Sequence, residues 1–260
     1  MTPKPTTAAT ADASAADASL ALTRSYGRAE NEMRPVSLTR GVLPHALGSC
    51  ECRFGETRVL CGATIEEGLP GWRLRAHAGW VSAEYAMLPC STSTRSRREV
   101  GQRKGRSMEI ERLIGRSLRT VVDLKALGEF TVTVDCDVIN ADGGTRTAAV
   151  TGAWVALHDA LMAWVDAKKI GRLPIIDQVV AVSVGMVSGR LVCDLDYAED
   201  SQAEIDMNLV VTGAGEYVEV QGTGERTPFS RRRLNDLLEL ADPAVAHLLK
   251  VQDECVGWSD

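Results

Sequence analysis

The stretch EFTVTVDCDVINADGGTRTAAVTGAWVALHDALMAW, Glu129 to Trp164, changes its apolar period within a few residues, and no other feature constrains the fold so tightly. Phe130, Val132, Val134, Cys136 and Val138 alternate with Thr131, Thr133, Asp135 and Asp137, the pattern of a strand with one buried face. Further on, Val150, Trp154, Leu157, Leu161 and Trp164 recur at helical spacing, and Lys168 and Lys169 close that segment ahead of Gly171 and Pro174. Small residues at Ala148, Ala149, Gly152, Ala153 and Ala156 suit a helix packed closely on its neighbours.

The joint between the two periods carries chemistry. Gly143 and Gly144 permit a tight turn, Thr145 and Thr147 offer hydroxyls, and Arg146 offers a planar fork, all beside a helix N-terminus with unpaired N–H groups. This is the composition of an oxyanion or phosphate site; a capped turn whose arginine pairs with a neighbouring carboxylate would read the same way. It is not a Walker loop, because the Gly-Lys-Ser/Thr ending is missing.

A rough strands-then-helix pattern occurs twice, ending at Trp164 and near Leu249, so the chain reads as α+β with no obvious linker. In the second pass, two strands pair through a Ser188-Gly189 turn and a third runs through Ile205, Met207 and Leu209. Gly213 and Gly215 mark the turn into YVEVQ. Ser230 is the expected cap of a last amphipathic helix, which Pro243 is expected to break.

Two further segments bear on function. STRSRREVGQRKGR places Arg95, Arg97, Arg98, Arg103, Lys104 and Arg106 close together, opposed only by Glu99. Within a chain of net charge −6, this is either a solvated loop or a surface kept basic for a polyphosphate backbone. Ser107 is expected to cap the helix that follows, setting Arg106 at an anion-suited helix start, with Arg112, Arg116 and Arg119 gathered on one side of it. Glu204 and Asp206 fall on the non-core face of their strand, with Asp200 just upstream in a loop, so carboxylates converge there for a hard divalent cation unless the face is merely solvated.

Composition excludes other classes. The seven cysteines lack CxxC spacing and the four histidines lack ligand spacing, which disfavours a zinc site and suits a reduced, cytoplasmic chain. Residues 1–24, rich in Ala and Thr, are expected to be a disordered tail, with one domain over 25–260. No stretch approaches the ~18 consecutive apolar residues of a membrane span, so no membrane partner is expected.

GWVSAEYAMLP (79–89), GRSMEIERLIGRSLR (105–119), DCDVINADGGTRTAAVTGA (135–153), EDSQAEIDMN (199–208) and VEVQGTGE (218–225) together resemble the ribonuclease PH family, in order and with family-like spacing over roughly Gly27 to Leu240. The resemblance implies duplicated βα units of the ribonuclease PH-like fold and a homohexameric ring, a trimer of dimers. It also implies phosphorolytic 3′-5′ trimming of tRNA precursors with inorganic phosphate as co-substrate, releasing nucleoside 5′-diphosphates reversibly.

Carried over by position, the phosphate-binding residues would be Arg106, Gly144, Thr145 and Arg146. The catalytic, metal-associated aspartates would be Asp200 and Asp206, with Mg²⁺ or Mn²⁺, and Arg95, Arg97, Arg98 and Arg103 would hold the tRNA. The alternative is a non-catalytic, RNA-binding ring subunit of an exosome-type assembly, which would be expected to lack part of the Arg106, Arg146, Asp200 and Asp206 set. The chain departs from the family in RSYGR, where Tyr26 replaces an expected acid, and at Cys90 on the edge of the basic loop.

Overall fold

The structure, a computed structural model, describes residues 23–99 and 105–258. The first pass comprises β1 (Val36–Arg40), β2 (Gly48–Phe54), β3 (Thr57–Glu67), β4 (Trp80–Met87), α1 (Gly105–Thr120), α2 (Leu124–Leu127), β5 (Phe130–Asn140) and α3 (Thr145–Asp166). The second comprises β6 (Val179–Val187), β7 (Arg190–Cys193), α4 (Tyr197–Asp200), β8 (Ile205–Thr212), β9 (Tyr217–Gly224) and α5 (Arg231–Val256). Strands β1-β2-β3-β5-β4 form one sheet, in which β4 and β5 are parallel across the α1 crossover, and β7-β6-β8-β9 form an antiparallel second sheet.

α3 joins the two passes. It packs on β2 and β3 of the first sheet and on β6 of the second, and one cluster of buried apolar side chains runs through both sheets, α1, α3 and α5. By length and composition α3 could cross a bilayer, but 78% of its most apolar window is buried inside the protein, so it serves as a core helix. Its small residues let it lie close to the sheet: a Cβ on Gly152 would stand 2.7 Å from Cys52 Cβ. Packing at that distance leaves no room for a methylene.

Two local expectations fail, and each failure has a physical reason. Pro243 does not break the last helix, which runs unbroken over Arg231–Val256. Leu237, Ala241, Ala244, Val245 and Leu248 form one buried stripe on both sides of the proline, and tertiary packing outweighs the lost hydrogen bond. Ser107 lies inside α1 rather than at its cap, and its hydroxyl donates to Glu99 Oε1 at 3.0 Å. Ser230 does cap α5, accepting from the Arg233 N–H. The Ser188-Gly189 turn closes β6 on β7 with both residues at positive φ, as a tight hairpin demands. Of the expected tail, residues 1–22 lie outside the described residues, whereas Arg24 is buried in the folded body.

Candidate active site

The loop between β5 and α3 is built around its two glycines. Gly143 (φ 71°) and Gly144 (φ 65°) both take the left-handed conformation that only glycine adopts cheaply. A Cβ on Gly143 would meet Leu195 O at 2.5 Å, so the loop can lie directly against the backbone that leads into α4. Gly144 is the N-cap of α3 and brings no side chain to occupy the first-turn N–H groups, which stay available to an anion.

Thr145 and Arg146 occupy that first turn. Tyr85, buried on β4, shares a 2.8 Å hydrogen bond with the Thr145 hydroxyl. Arg146 is aimed by Gln221, whose Oε1 accepts from its Nη1 at 2.7 Å, while Gln221 Nε2 donates to Glu109 on α1 at 2.6 Å.

Across a cavity of about 370 Å³ from this turn lie the carboxylates. Asp206 and Asn208 on β8 face the cavity, while Ile205, Met207 and Leu209 are in the core. The strand face read as outward is therefore the inner wall of a cleft. Glu204 does not join it; its carboxylate instead accepts the Gly189 N–H at 2.9 Å, in the β6–β7 turn. Asp200 is the last residue of α4 rather than a loop residue, and it opens onto the same cavity. Arg106, from the start of α1, completes the ring of charged lining residues.

Electrostatics link these groups. Burial pushes the Asp206 carboxyl up to about 6, helped by the Asp200 charge and opposed by Arg146. Asp200 keeps solvent access through the mouth of the cavity, yet enough protein surrounds it that burial raises its pKa too, against the pull of Arg106 and Arg146. Two carboxylates that resist ionising together form a place where a divalent cation is favoured. Among the described residues no cluster of three or more His, Cys, Asp or Glu side chains converges on a point. The pair Asp200 and Asp206 has the donor chemistry of a Mg²⁺ site, since that ion takes one or two carboxylates and fills its shell with water and substrate phosphate oxygens.

What holds the two halves of the cavity together was not legible in the sequence. Arg34 has a fully buried side chain, and its Nε and Nη2 grip both oxygens of Asp194 at 2.9 and 2.7 Å. Its Nη1 donates to Asp142 O, so one guanidinium ties the β5–α3 loop to the segment after β7. Thr57 reinforces this by donating to Gly143 O at 2.6 Å. Arg24 and Arg28 grip buried Glu199 at 2.6 and 3.0 Å, and Glu199 and Asp196 close a capping box around α4. These arginines have partners some 160 to 175 residues away, a pairing no local pattern signals. Tyr26, the departure from the family element, sits at φ 63° with its phenol donating to Glu56 at 3.3 Å.

The basic loop skirts the mouth of the cavity. Thr92 and Ser96 line it, and Arg95, Arg97 and Arg98 of the same loop are exposed; Arg103 lies outside the described residues. The arginines of α1 divide their tasks. Arg116 pairs with Glu219 at the surface, whereas Arg119 stacks under the Trp80 ring at 4.3 Å and donates to Val81 O, so it serves packing.

Family models match in two consecutive pieces: 3′ exoribonuclease family, domain 1, over residues 32–163, and domain 2 over residues 177–242. The chain is 54% identical to ribonuclease PH of Brucella ovis over 234 residues, 88% of this chain and 98% of that one. Its fold is similar to that of rice Rrp46 (TM-score 0.72, 22% identity, 88% of this chain and 98% of the other). It is likewise similar to the Archaeoglobus fulgidus exosome with RNA bound to the active site (TM-score 0.75, 23% identity, 87% and 91%).

Proposed function

The chain belongs to the 3′ exoribonuclease family, and from that premise we propose that the cavity between α3 and β8 is where inorganic phosphate attacks the terminal linkage of an RNA. The protein is a phosphorolytic 3′-5′ exoribonuclease of tRNA processing, a nucleotidyltransferase with phosphate as its co-substrate. The single observation that supports the placement is that one cavity gathers Arg106, Gly144, Thr145 and Arg146 with Asp200 and Asp206. A non-catalytic ring subunit has no use for that complete set.

Arg106, Arg146 and the N–H groups at the start of α3 bind and orient a phosphate dianion, with the Thr145 hydroxyl as a further donor. An oxygen of that phosphate attacks the terminal phosphorus. The bond from phosphorus to the penultimate O3′ breaks, the proton of the hydrogenphosphate is available to that oxygen, and a nucleoside 5′-diphosphate leaves. One phosphate linkage replaces another, so the reaction is close to balanced and runs backward at high diphosphate. Asp200 and Asp206 would hold Mg²⁺ (or Mn²⁺), which supplies charge compensation for the reacting phosphoryl oxygens. Positioning and preorganised charge carry most of the rate.

The exposed Arg95, Arg97 and Arg98, with Arg103, hold the RNA backbone beyond the terminal nucleotide. Resemblance to exosome cores supports a ring, which we read as a homohexamer, a trimer of dimers; light scattering of the purified protein tests it. All seven cysteines are free, which fits the reducing cytoplasm.

The deciding experiment incubates the protein and Mg²⁺ with a 3′-extended tRNA, with and without inorganic phosphate, and identifies the released nucleotides. Diphosphates released only with phosphate are expected. Monophosphates released without phosphate would mean hydrolysis and a different role for Arg106 and Arg146.

A further inference from the structure

Tyr197 is the first residue of α4 and Asp200 the last. Tyr197 is 63% exposed and lines the cavity, where Met87, Ala141 and Leu195 supply apolar lining. A single exposed aromatic is ordinary on a protein surface, but this one is held with unusual care. A four-residue helix has almost no stability of its own. α4 is instead fixed by its capping box, by the Arg24 and Arg28 grip on Glu199, and by the Tyr197 N–H donating to Asp142 Oδ1 at 3.3 Å. The buried ion pairs thus hold an open aromatic ring and a cavity carboxylate on one small rigid unit.

We propose that the ring of Tyr197 is the platform on which the 3′-terminal base of the RNA stacks, an inference that rests on the cavity being the phosphorolytic site. A 3′ exonuclease meets each base in turn and gains nothing from reading hydrogen-bonding edges. Every base has a π-face, so an aromatic ring holds all four comparably. Met87, Ala141 and Leu195 offer apolar contact to the same base, while the charged residues of the cavity take the phosphates. With Tyr197 and Asp200 on one helix, the position of the terminal base sets the position of the scissile phosphorus, and each cleavage returns the next nucleotide to the same registration.

The test compares two RNAs that differ only in the 3′-terminal nucleotide, one normal and one abasic, by kcat/KM for RNA at saturating phosphate and by KM for phosphate. For the unmodified protein the abasic end should lose roughly tenfold or more, the size of one base–aromatic stack. Tyr197→Ala should lose about as much on the normal RNA and nothing further on the abasic one, with KM for phosphate unchanged. Tyr197→Phe keeps the ring and should behave as the unmodified protein. If Tyr197→Ala still discriminates the two RNAs by the full factor, or Tyr197→Phe is as impaired as Tyr197→Ala, the base platform is wrong while phosphorolysis stands. If the unmodified protein releases no diphosphate from either RNA, the reading of the cavity fails and takes the platform with it.

Discussion

Replacing Asp206 by asparagine should abolish phosphorolysis and at the same time stabilise the metal-free protein. The folded state raises the Asp206 carboxyl from an ordinary 3.8 to about 6. At about 1.36 kcal/mol per pKa unit, that difference has a ceiling of about 3 kcal/mol. The carboxylate opens on a solvent-accessible cavity, so screening reduces this to an expected ~1–2 kcal/mol.

The direction follows from proton binding. The folded protein holds this proton more tightly than the unfolded chain, so the associated stability is fully present below about pH 4 and is lost as the pH rises through about 6. In Asp206→Asn the side-chain amide does not titrate. The variant should therefore match the unmodified protein near pH 4 and exceed it at pH 8, by a few degrees in Tm. Thermal unfolding at fixed protein concentration in chelator, at both pH values, measures this. Adding Mg²⁺ at pH 8 should stabilise the unmodified protein more than the variant. A stability difference that is the same at both pH values, or a variant less stable at pH 8, would refute the strained-carboxylate argument.

Arg146→Ala should raise KM for phosphate about 10- to 100-fold, the value of a charge-assisted contact, while RNA binding measured by filter retention stays near normal; an unchanged phosphate dependence would remove Arg146 from the phosphate site. Reversing Arg97 and Arg98 to glutamate should weaken tRNA binding and flatten its log–log salt dependence by about 1–2 units; an unchanged salt slope would return both residues to bulk solvent. Gly143→Ala combines a positive φ with a Cβ 2.5 Å from Leu195 O, and should cost about 1–3 kcal/mol and raise KM for phosphate together, as calorimetry and kinetics would show. A fully active variant of normal Tm would mean that this close approach does not shape the site.

The sequence by itself determined what depends on near neighbours along the chain. The shift from period two to period 3.6 at Asp142–Thr147 set β5 and α3, because side-chain direction in a strand or helix repeats over two to four residues. Ser188-Gly189 set its hairpin, and the Gly-Gly-Thr-Arg joint marked an anion site, since turn chemistry and helix N-termini are local.

Tertiary structure decided whatever depends on which distant surfaces meet. Pro243 signals a break by every local rule, but the buried stripe of α5 overrides it. The Asp206–Asn208 face resembles any solvated strand face until α3 and α4 close over it. The grip of Arg34 on Asp194 spans 160 residues, and Tyr85 meets Thr145 across 60. An arginine or tyrosine carries no mark of its partner in the chain. The partner is chosen when two sheets pack on one helix, where a charge that cannot stay hydrated must find its counterion.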